Sequence, residues 1–253
     1  MIKKSLTLIY GIASYLLFVV VFGYTILFIG NILVTPSLDT VRDGDLIKSL
    51  IIDVGLLTIF ALQHSIMARP AFKDLWTKVI PKQIERSTYV LISSMLLGCV
   101  VYFWQPLGGV VWWVKNPMAI AAIYLVFALG WAILFLASFQ QNHFDLFGLR
   151  QVWLAFLGKT YTYLPFKTPF LYKFMRHPLY VGMMMGLWAA PTMTAAHLLF
   201  ALLSTGYIIV GAILEEKDLE KALPEYSQYK KDVPMFMPNH IRNVHIKTLK
   251  STA

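Results

Sequence analysis

The sequence predicts an all-α, polytopic membrane helix bundle. Of its 253 residues 58% are hydrophobic and only 14% charged, against about 45–50% and about 25% in an average soluble domain. The charges are also sorted, leaving uncharged runs long enough to cross a bilayer. Six spans of about 20 residues would use roughly 120 positions and leave about 130 for loops and a site. That fits one domain over 1–253 with no large soluble module. Cys99, the only cysteine, lies in an apolar run, which excludes a secreted disulfide scaffold.

Five to six transmembrane segments follow in order. Lys3 and Lys4 precede an apolar run too long for a signal-peptide core, so the first span is placed near 6–33, ending before Thr35-Pro36. The second, near 46–68, contains Lys48 and Asp53; Lys48 can snorkel at its end. The third, near 88–113, finishes in an aromatic belt of Tyr102, Phe103, Trp104, Trp112 and Trp113. The fourth, near 117–141, is uncharged. The apolar stretch 178–214 would be about 55 Å long as one helix, against a hydrocarbon core of about 30 Å. The segment Ala189-Ala190-Pro191-Thr192-Met193-Thr194 offers a break. A C-terminal helical hairpin with arms near 179–190 and 195–214 therefore fits better than one kinked helix. The short arm need not cross the bilayer fully.

Loop charge sets the orientation. Nineteen of the 22 Lys and Arg residues fall at the N-terminus, in loop 69–86, in segment 143–177 or after residue 214. Placing these on one side puts both termini in the cytosol. The net charge of +9 is then topological and needs no nucleic acid to account for it. The expected setting is an integral membrane protein of a bacterial inner membrane, with the bilayer as its environment and its oligomeric state open.

This topology brings scattered polar residues to the cytosolic face, where ionisable groups at membrane depth are candidates for function. In Arg176-His177-Pro178-Leu179-Tyr180-Val181-Gly182, proline suits the first helical position, and the free N–H groups there make an anion site. Arg176 or His177 would add charge, and Gly182 would admit a ligand or a helix closely; an interfacial Arg-His pair is the plainer alternative. Adjacent Glu215 and Glu216 close the hairpin, either as a solvated stop or compensated by Arg176, Lys217 or a cationic ligand. Leu219, Ala222, Leu223, Tyr226 and Tyr229 recur at helical spacing, which predicts a cytosolic amphipathic tail on the membrane surface. His143 and Asp145 are close enough to form a base and its orienting group through a turn; the plainer alternative is a polar helix cap. Gln63-His64-Ser65 is read first as an interhelical hydrogen-bonding site. No metal-ligand spacing is evident.

The set Arg176-His177-Pro178-x-Tyr180-x-Gly182, Glu215-Glu216-x-x-Leu219, Tyr226-x-x-Tyr229 and Val233-Pro234 resembles the C-terminal signature of integral-membrane methyltransferases. These include isoprenylcysteine carboxyl methyltransferase and the phospholipid N-methyltransferases. Leu223-Pro224-Glu225 departs from it where many members carry a glycine. The upstream segments Phe60-Ala61-Leu62-Gln63-His64-Ser65-Ile66-Met67-Ala68-Arg69-Pro70, Ile84-Glu85-Arg86-Ser87-Thr88-Tyr89 and 142–151 resemble the bacterial methanethiol S-methyltransferases, with NnrU-like membrane proteins as more distant relatives.

The resemblance implies S-adenosylmethionine as donor, methanethiol as acceptor and dimethyl sulfide as product, with a cofactor-binding portion over 172–238. It implies that Arg176, His177 and the helix start at Pro178 meet the cofactor carboxylate, and Glu215 and Glu216 its cationic groups. Tyr180, Tyr226 and Tyr229 would meet adenine or ribose, beside Gly182. The acceptor must react as thiolate, so a base or cation is needed; His143 held by Asp145, His64 and Arg150 are the candidates. The rival acceptors are a larger thiol, isoprenylcysteine or a phospholipid, and the rival class is a non-catalytic NnrU-like membrane protein.

Overall fold

The computed structural model describes residues 2–42 and 45–237. Expectations for Asp43, and for Arg242, Lys247, Lys250 and the C-terminus itself, lie outside them. The chain forms α1 (Ile2–Gly30), α2 (Leu46–Ala68), α3 (Pro70–Trp76), α4 (Glu85–Phe103), β1 (Val110–Trp113), α5 (Pro117–Gln140), α6 (His143–Leu146), α7 (Leu149–Phe156), α8 (Pro178–Trp188), β2 (Thr192–Thr194), α9 (Ala195–Ala222) and α10 (Tyr226–Asp232).

Five helices among the described residues are long and apolar enough to cross a bilayer: α1, α2, α4 with its preceding 3-10 turn, α5 and α9. Their outer faces carry exposed Leu16, Val20, Ile51, Leu125 and Val210. A helix that is apolar on its exposed side needs lipid as its solvent. This is an integral membrane protein.

Local chemistry sets the helix starts. Asp45 accepts from Lys48 N, Asn116 from Met118 N and Ala119 N, and Thr194 from His197 N, satisfying N–H groups that a first turn leaves unpaired. Proline opens α3, α5 and α8, where its missing N–H costs nothing.

The apolar stretch 178–214 is a hairpin. Eleven-residue α8 is about 16 Å long, too short to cross, and β2 separates it from α9. Three expectations need correction. The third span ends at Phe103 rather than 113. Pro106 and the positive-φ Gly108 and Gly109 stop the helix. Trp112 and Trp113 then lie on β1, which pairs antiparallel with β2, Val110 opposite Thr194, so the bundle carries one small ribbon. The first helix ends at Gly30, followed by Asn31 at φ 55°, the left-handed cap that asparagine tolerates. The last span continues past 214 to Ala222, because good helix formers run on until Leu223-Pro224. Finally, the amphipathic tail expected at a membrane surface is also tied to the bundle. Tyr226 is buried, and Arg176 N and His177 N donate to Pro234 O and Met235 O at 2.9 and 3.1 Å, so the tail folds back over the start of α8.

The core is shared by α1, α4, α5, α8 and α9, and within it α8 meets α5 most closely. A Cβ on Gly182 would collide with the Gly130 carbonyl and come within 2.7 Å of Leu134 N, and one on Gly130 would meet Gly182 O at 2.7 Å. Small residues let the backbones touch, as in other membrane helix pairs. Gly182 therefore serves helix approach rather than ligand approach. At the other end, loop 31–42 is pinned by Asp39, whose carboxylate takes Thr194 N at 2.9 Å and His197 Nδ1 at 2.9 Å.

Candidate active site

The end of the bundle that carries Arg69, Arg86, Arg176 and Lys230 gathers most of the singled-out residues. Arg176 and His177 enter α8 from one side and the long α9 brings Glu216 against them. Arg176 Nε donates to Glu216 Oε1 at 2.6 Å, and His177 Nε2 lies 3.0 Å from the same oxygen. Lys230 Nζ on α10 is 3.4 Å from Oε2. Arg176 Nη1 also donates to the carbonyls of Lys230 and Val233. Only 9% of the Arg176 side chain and 4% of Glu216 are exposed. Burial on this scale is tolerable only because charge and hydrogen bonds are both satisfied. The Glu220 carboxylate at 3.1 Å, with Glu216, raises the Lys230 pKa. Glu216, Arg176 and Lys230 therefore lock α8, α9 and α10 together.

Glu215, one position earlier, faces differently. Its side chain is 45% exposed, and its Oε2 accepts from Tyr180 O–H at 2.8 Å. His177 stacks on the Tyr180 ring at 5.3 Å. Tyr207 on α9 and Tyr89 on α4 lie within electrostatic range of Tyr180, and Glu215 within range of Tyr89. His64 on α2 is 2.8 Å from Tyr89 O–H through Nε2, the interhelical bond expected for it. Arg86 lies 5.0 Å over the Tyr89 ring, and Arg69 pairs with Asp218 at 2.8 Å. Lys73, between these arginines, has its pKa lowered by burial and by Arg86. One half-open carboxylate, three phenols and a cationic rim thus converge from α2, α4, α8 and α9.

Tyr226 and Tyr229 sit behind this group with Phe166, 5.9 and 5.5 Å from its ring. Tyr229 O–H donates to Tyr172 O at 2.6 Å, and burial raises both tyrosines' pKa values. Pro178 is fully buried at the α8 start.

His143 and Asp145 do not pair, contrary to the sequence expectation. His143 is 4% exposed, with Tyr15 O–H 2.8 Å from Nε2 and Ser138 Oγ 2.9 Å from Nδ1. It stacks on Phe139. Burial lowers its pKa. Asp145 instead accepts from Arg150 Nη1 at 3.0 Å and Tyr161 O–H at 3.2 Å. Two residues apart on a short helix, the side chains diverge, while Arg150 five residues on returns to the same side. Phe147 lies between His143, 4.7 Å away, and the Met67–Tyr89 packing cluster. The four catalytic candidates therefore fall in three places: His64 with Tyr89, His143 with Tyr15 and Ser138, and the Asp145–Arg150 pair.

Sequence reasoning missed the partners: Tyr15, Ser93, Tyr207, Lys230 and the Asp39–His197 pair. A lone polar residue in an apolar span was the available signal for Ser93, Tyr207 and His197.

The NnrU protein family model matches residues 54–237. The chain is 50% identical to a methanethiol S-methyltransferase of Crocosphaera subtropica, over 94% of this chain and 93% of that relative. It is 45% identical to the one from Mycobacterium tuberculosis over 93% and 97%. Nurim of Rattus norvegicus is 34% identical over 72% of each chain. No solved structure matches. The family model's range takes in most of α2 and all of α4, α8 and α9, and with identity at this level over nearly the whole length the chain belongs to the methanethiol S-methyltransferases of the NnrU family.

Proposed function

We propose that the protein methylates methanethiol to dimethyl sulfide with S-adenosylmethionine as donor, at the cytosolic end of a bacterial inner-membrane bundle. The observation that carries this reading is the division of the Glu215-Glu216 pair. Glu216 is consumed by Arg176, His177 and Lys230, while Glu215 stands half exposed beside Tyr180. That leaves one carboxylate for a cationic ligand, inside a ring of phenols and cations that suits a ligand bearing both signs of charge. The names of the relatives support the same acceptor.

When bound, S-adenosylmethionine supplies an electrophilic methyl group on a positively charged sulfur. Glu215 would hold the cationic side of the ligand, its carboxylate oriented by Tyr180. The Glu216 lock would keep α8, α9 and α10 in register, holding Arg176, His177 and Pro178 at the cofactor and Tyr226 and Tyr229 behind it, within a binding portion spanning 172–238. Residue 238 lies outside the described residues. The chain works mainly by positioning and by excluding water, and Arg69, Lys73 and Arg86 would favour an acceptor that reacts as an anion.

Membranes from expressing cells, given methanethiol and S-adenosylmethionine, should release dimethyl sulfide into the headspace. No product above an empty-vector control refutes the activity. Transfer to isoprenylcysteine or phosphatidylethanolamine instead assigns the lipid acceptor.

A further inference from the structure

Gln63, His64, Ser93 and Tyr89 form a hydrogen-bonded chain between α2 and α4 whose proton positions follow from its far end. Gln63 Nε2 lies 3.0 Å from Met67 Sδ. A thioether can only accept, so the amide nitrogen faces the sulfur and Oε1 faces Ser93. Ser93 Oγ donates to that oxygen at 3.3 Å. Its proton is thereby used, and it accepts from His64 Nδ1–H at 3.3 Å. His64 Nε2 is left unprotonated, and Tyr89 O–H donates to it at 2.8 Å. The thioether thus fixes the histidine tautomer three bonds away, as partners beyond the ring commonly do.

Around this chain stand Phe60, stacked on His64 at 5.4 Å, the Tyr207 ring at 6.3 Å, Arg86 over Tyr89 and Arg69 within electrostatic range of His64. Glu215 and Tyr207 lie within electrostatic range of Tyr89. The Tyr89 oxygen thus works in the same field as the carboxylate assigned to the cationic donor. His143 is bonded in the same way, with Tyr15 O–H at Nε2 and Ser138 Oγ at Nδ1, but Tyr15 is ringed by Phe18, Phe144 and Phe147 where Tyr89 carries Arg86 over its ring.

We propose that Tyr89 is the catalytic residue that takes the thiol proton, with His64 as its proton sink and Ser93 and Gln63 as positioning residues. This rests on the methyltransferase reading above. The methanethiol S–H donates to the Tyr89 oxygen while the phenol proton passes to His64 Nε2. The thiolate sulfur forms a bond to the methyl carbon as that carbon's bond to the donor sulfonium breaks, its electron pair staying on the donor sulfur. His64 becomes an imidazolium bonded to Tyr89 and Ser93, and its proton returns through Tyr89 to water once dimethyl sulfide has left. One proton is released per methyl transferred. Arg86 and Arg69 favour the thiolate and hasten that release.

The test uses the full chain purified in detergent, as wild type, Tyr89→Phe, His64→Gln and Ser93→Ala. Dimethyl sulfide formation is followed against pH, S-adenosylhomocysteine binding by calorimetry, and the ultraviolet thiolate band when thiol is added to the S-adenosylhomocysteine complex. Tyr89→Phe and His64→Gln should lower kcat/KM for methanethiol by about 10²–10⁴-fold at neutral pH, and the residual rate should rise with pH as free thiolate accumulates. With an acidic aryl thiol, already ionised, the deficit should shrink to within about threefold. Both variants should bind S-adenosylhomocysteine like wild type yet lose the thiolate band, and Ser93→Ala should fall between. An active wild type whose Tyr89→Phe variant keeps rate and pH profile overturns the relay alone. So does a deficit equal for both thiols, which marks a structural role. A wild type that forms no dimethyl sulfide overturns the methyl-transfer reading and the relay with it.

Discussion

Removing one or the other of two neighbouring carboxylates should have opposite consequences. Glu216→Ala deletes an acceptor that Arg176 Nε meets at 2.6 Å and His177 Nε2 at 3.0 Å, in a pair whose side chains are 9% and 4% exposed. The Arg176 guanidinium would then stay buried with only the Lys230 and Val233 carbonyls. Removing one partner of a buried pair costs about 3–5 kcal/mol. At about 2–4 °C per kcal/mol for a chain of this size, the apparent Tm should fall by about 6–20 °C. Glu216→Gln should lie between, because the amide oxygen still accepts from Arg176. Glu215→Gln keeps an acceptor for Tyr180 on a side chain 45% exposed, so stability should change by no more than about 0.5 kcal/mol. Loss of its charge should instead weaken S-adenosylmethionine binding by about 10-fold to 100-fold, the equivalent of about 1.5–3 kcal/mol for a charge-assisted contact. Thermal scanning in mild detergent and calorimetric titration read the two effects separately. Glu216→Ala melting within about 2 °C of wild type would refute the buried-pair argument. Unchanged cofactor affinity in Glu215→Gln would refute the division of roles.

Gly182→Ala should destabilise by about 1–3 kcal/mol, since its Cβ meets backbone of Gly130 and Leu134, whereas Gly206→Ala, with nothing within 4 Å, should gain up to about 1 kcal/mol; equal Tm values for the two would falsify the close helix approach. His143 should make stability pH-dependent: its folded pKa is held below the usual 6.5 by burial, so the unfolded chain takes up a proton first as pH falls. Stability is therefore full above about pH 6.5 and declines below it, and His143→Gln should show a shallower loss of Tm between about pH 7.5 and 5. His197→Leu strips a partner from the buried Asp39 carboxylate and should cost about 3–5 kcal/mol while leaving cofactor affinity of the folded protein at wild-type value, because the pair lies at the far end of the bundle; a lost affinity would mean the two ends are coupled.

Much of the scaffold is legible in the amino-acid sequence. Helix α2 spans the expected 46–68, and α5 ends one residue short of the expected 141, because a largely apolar run of bilayer length bounded by Asp45 or Asn116-Pro117 admits little else. The break at Pro191 is equally plain, since an uncharged stretch of 37 residues cannot stand across one bilayer as a straight helix. The ribbon is not legible in this way. Val110–Trp113 is four apolar residues, too short for periodicity to tell strand from helix end. The fold-back of the tail is hidden too, because Tyr226 and Tyr229 at helical spacing suit a membrane surface and a buried seam equally well.

The site divides the same way. Composition and loop charge dictate a membrane bundle with its basic residues gathered at one end, since lipid tolerates few polar groups and each must be accounted for. Which groups pair is a matter of direction. Glu215 and Glu216 are indistinguishable as letters, but successive residues on a helix point about 100° apart. Only the packing of α9 against Arg176 on one side and Tyr180 on the other turns one carboxylate inward and leaves its neighbour open. The same holds for Asp145, which Arg150 takes from His143, and for Gly182, whose bare backbone meets a helix rather than a ligand.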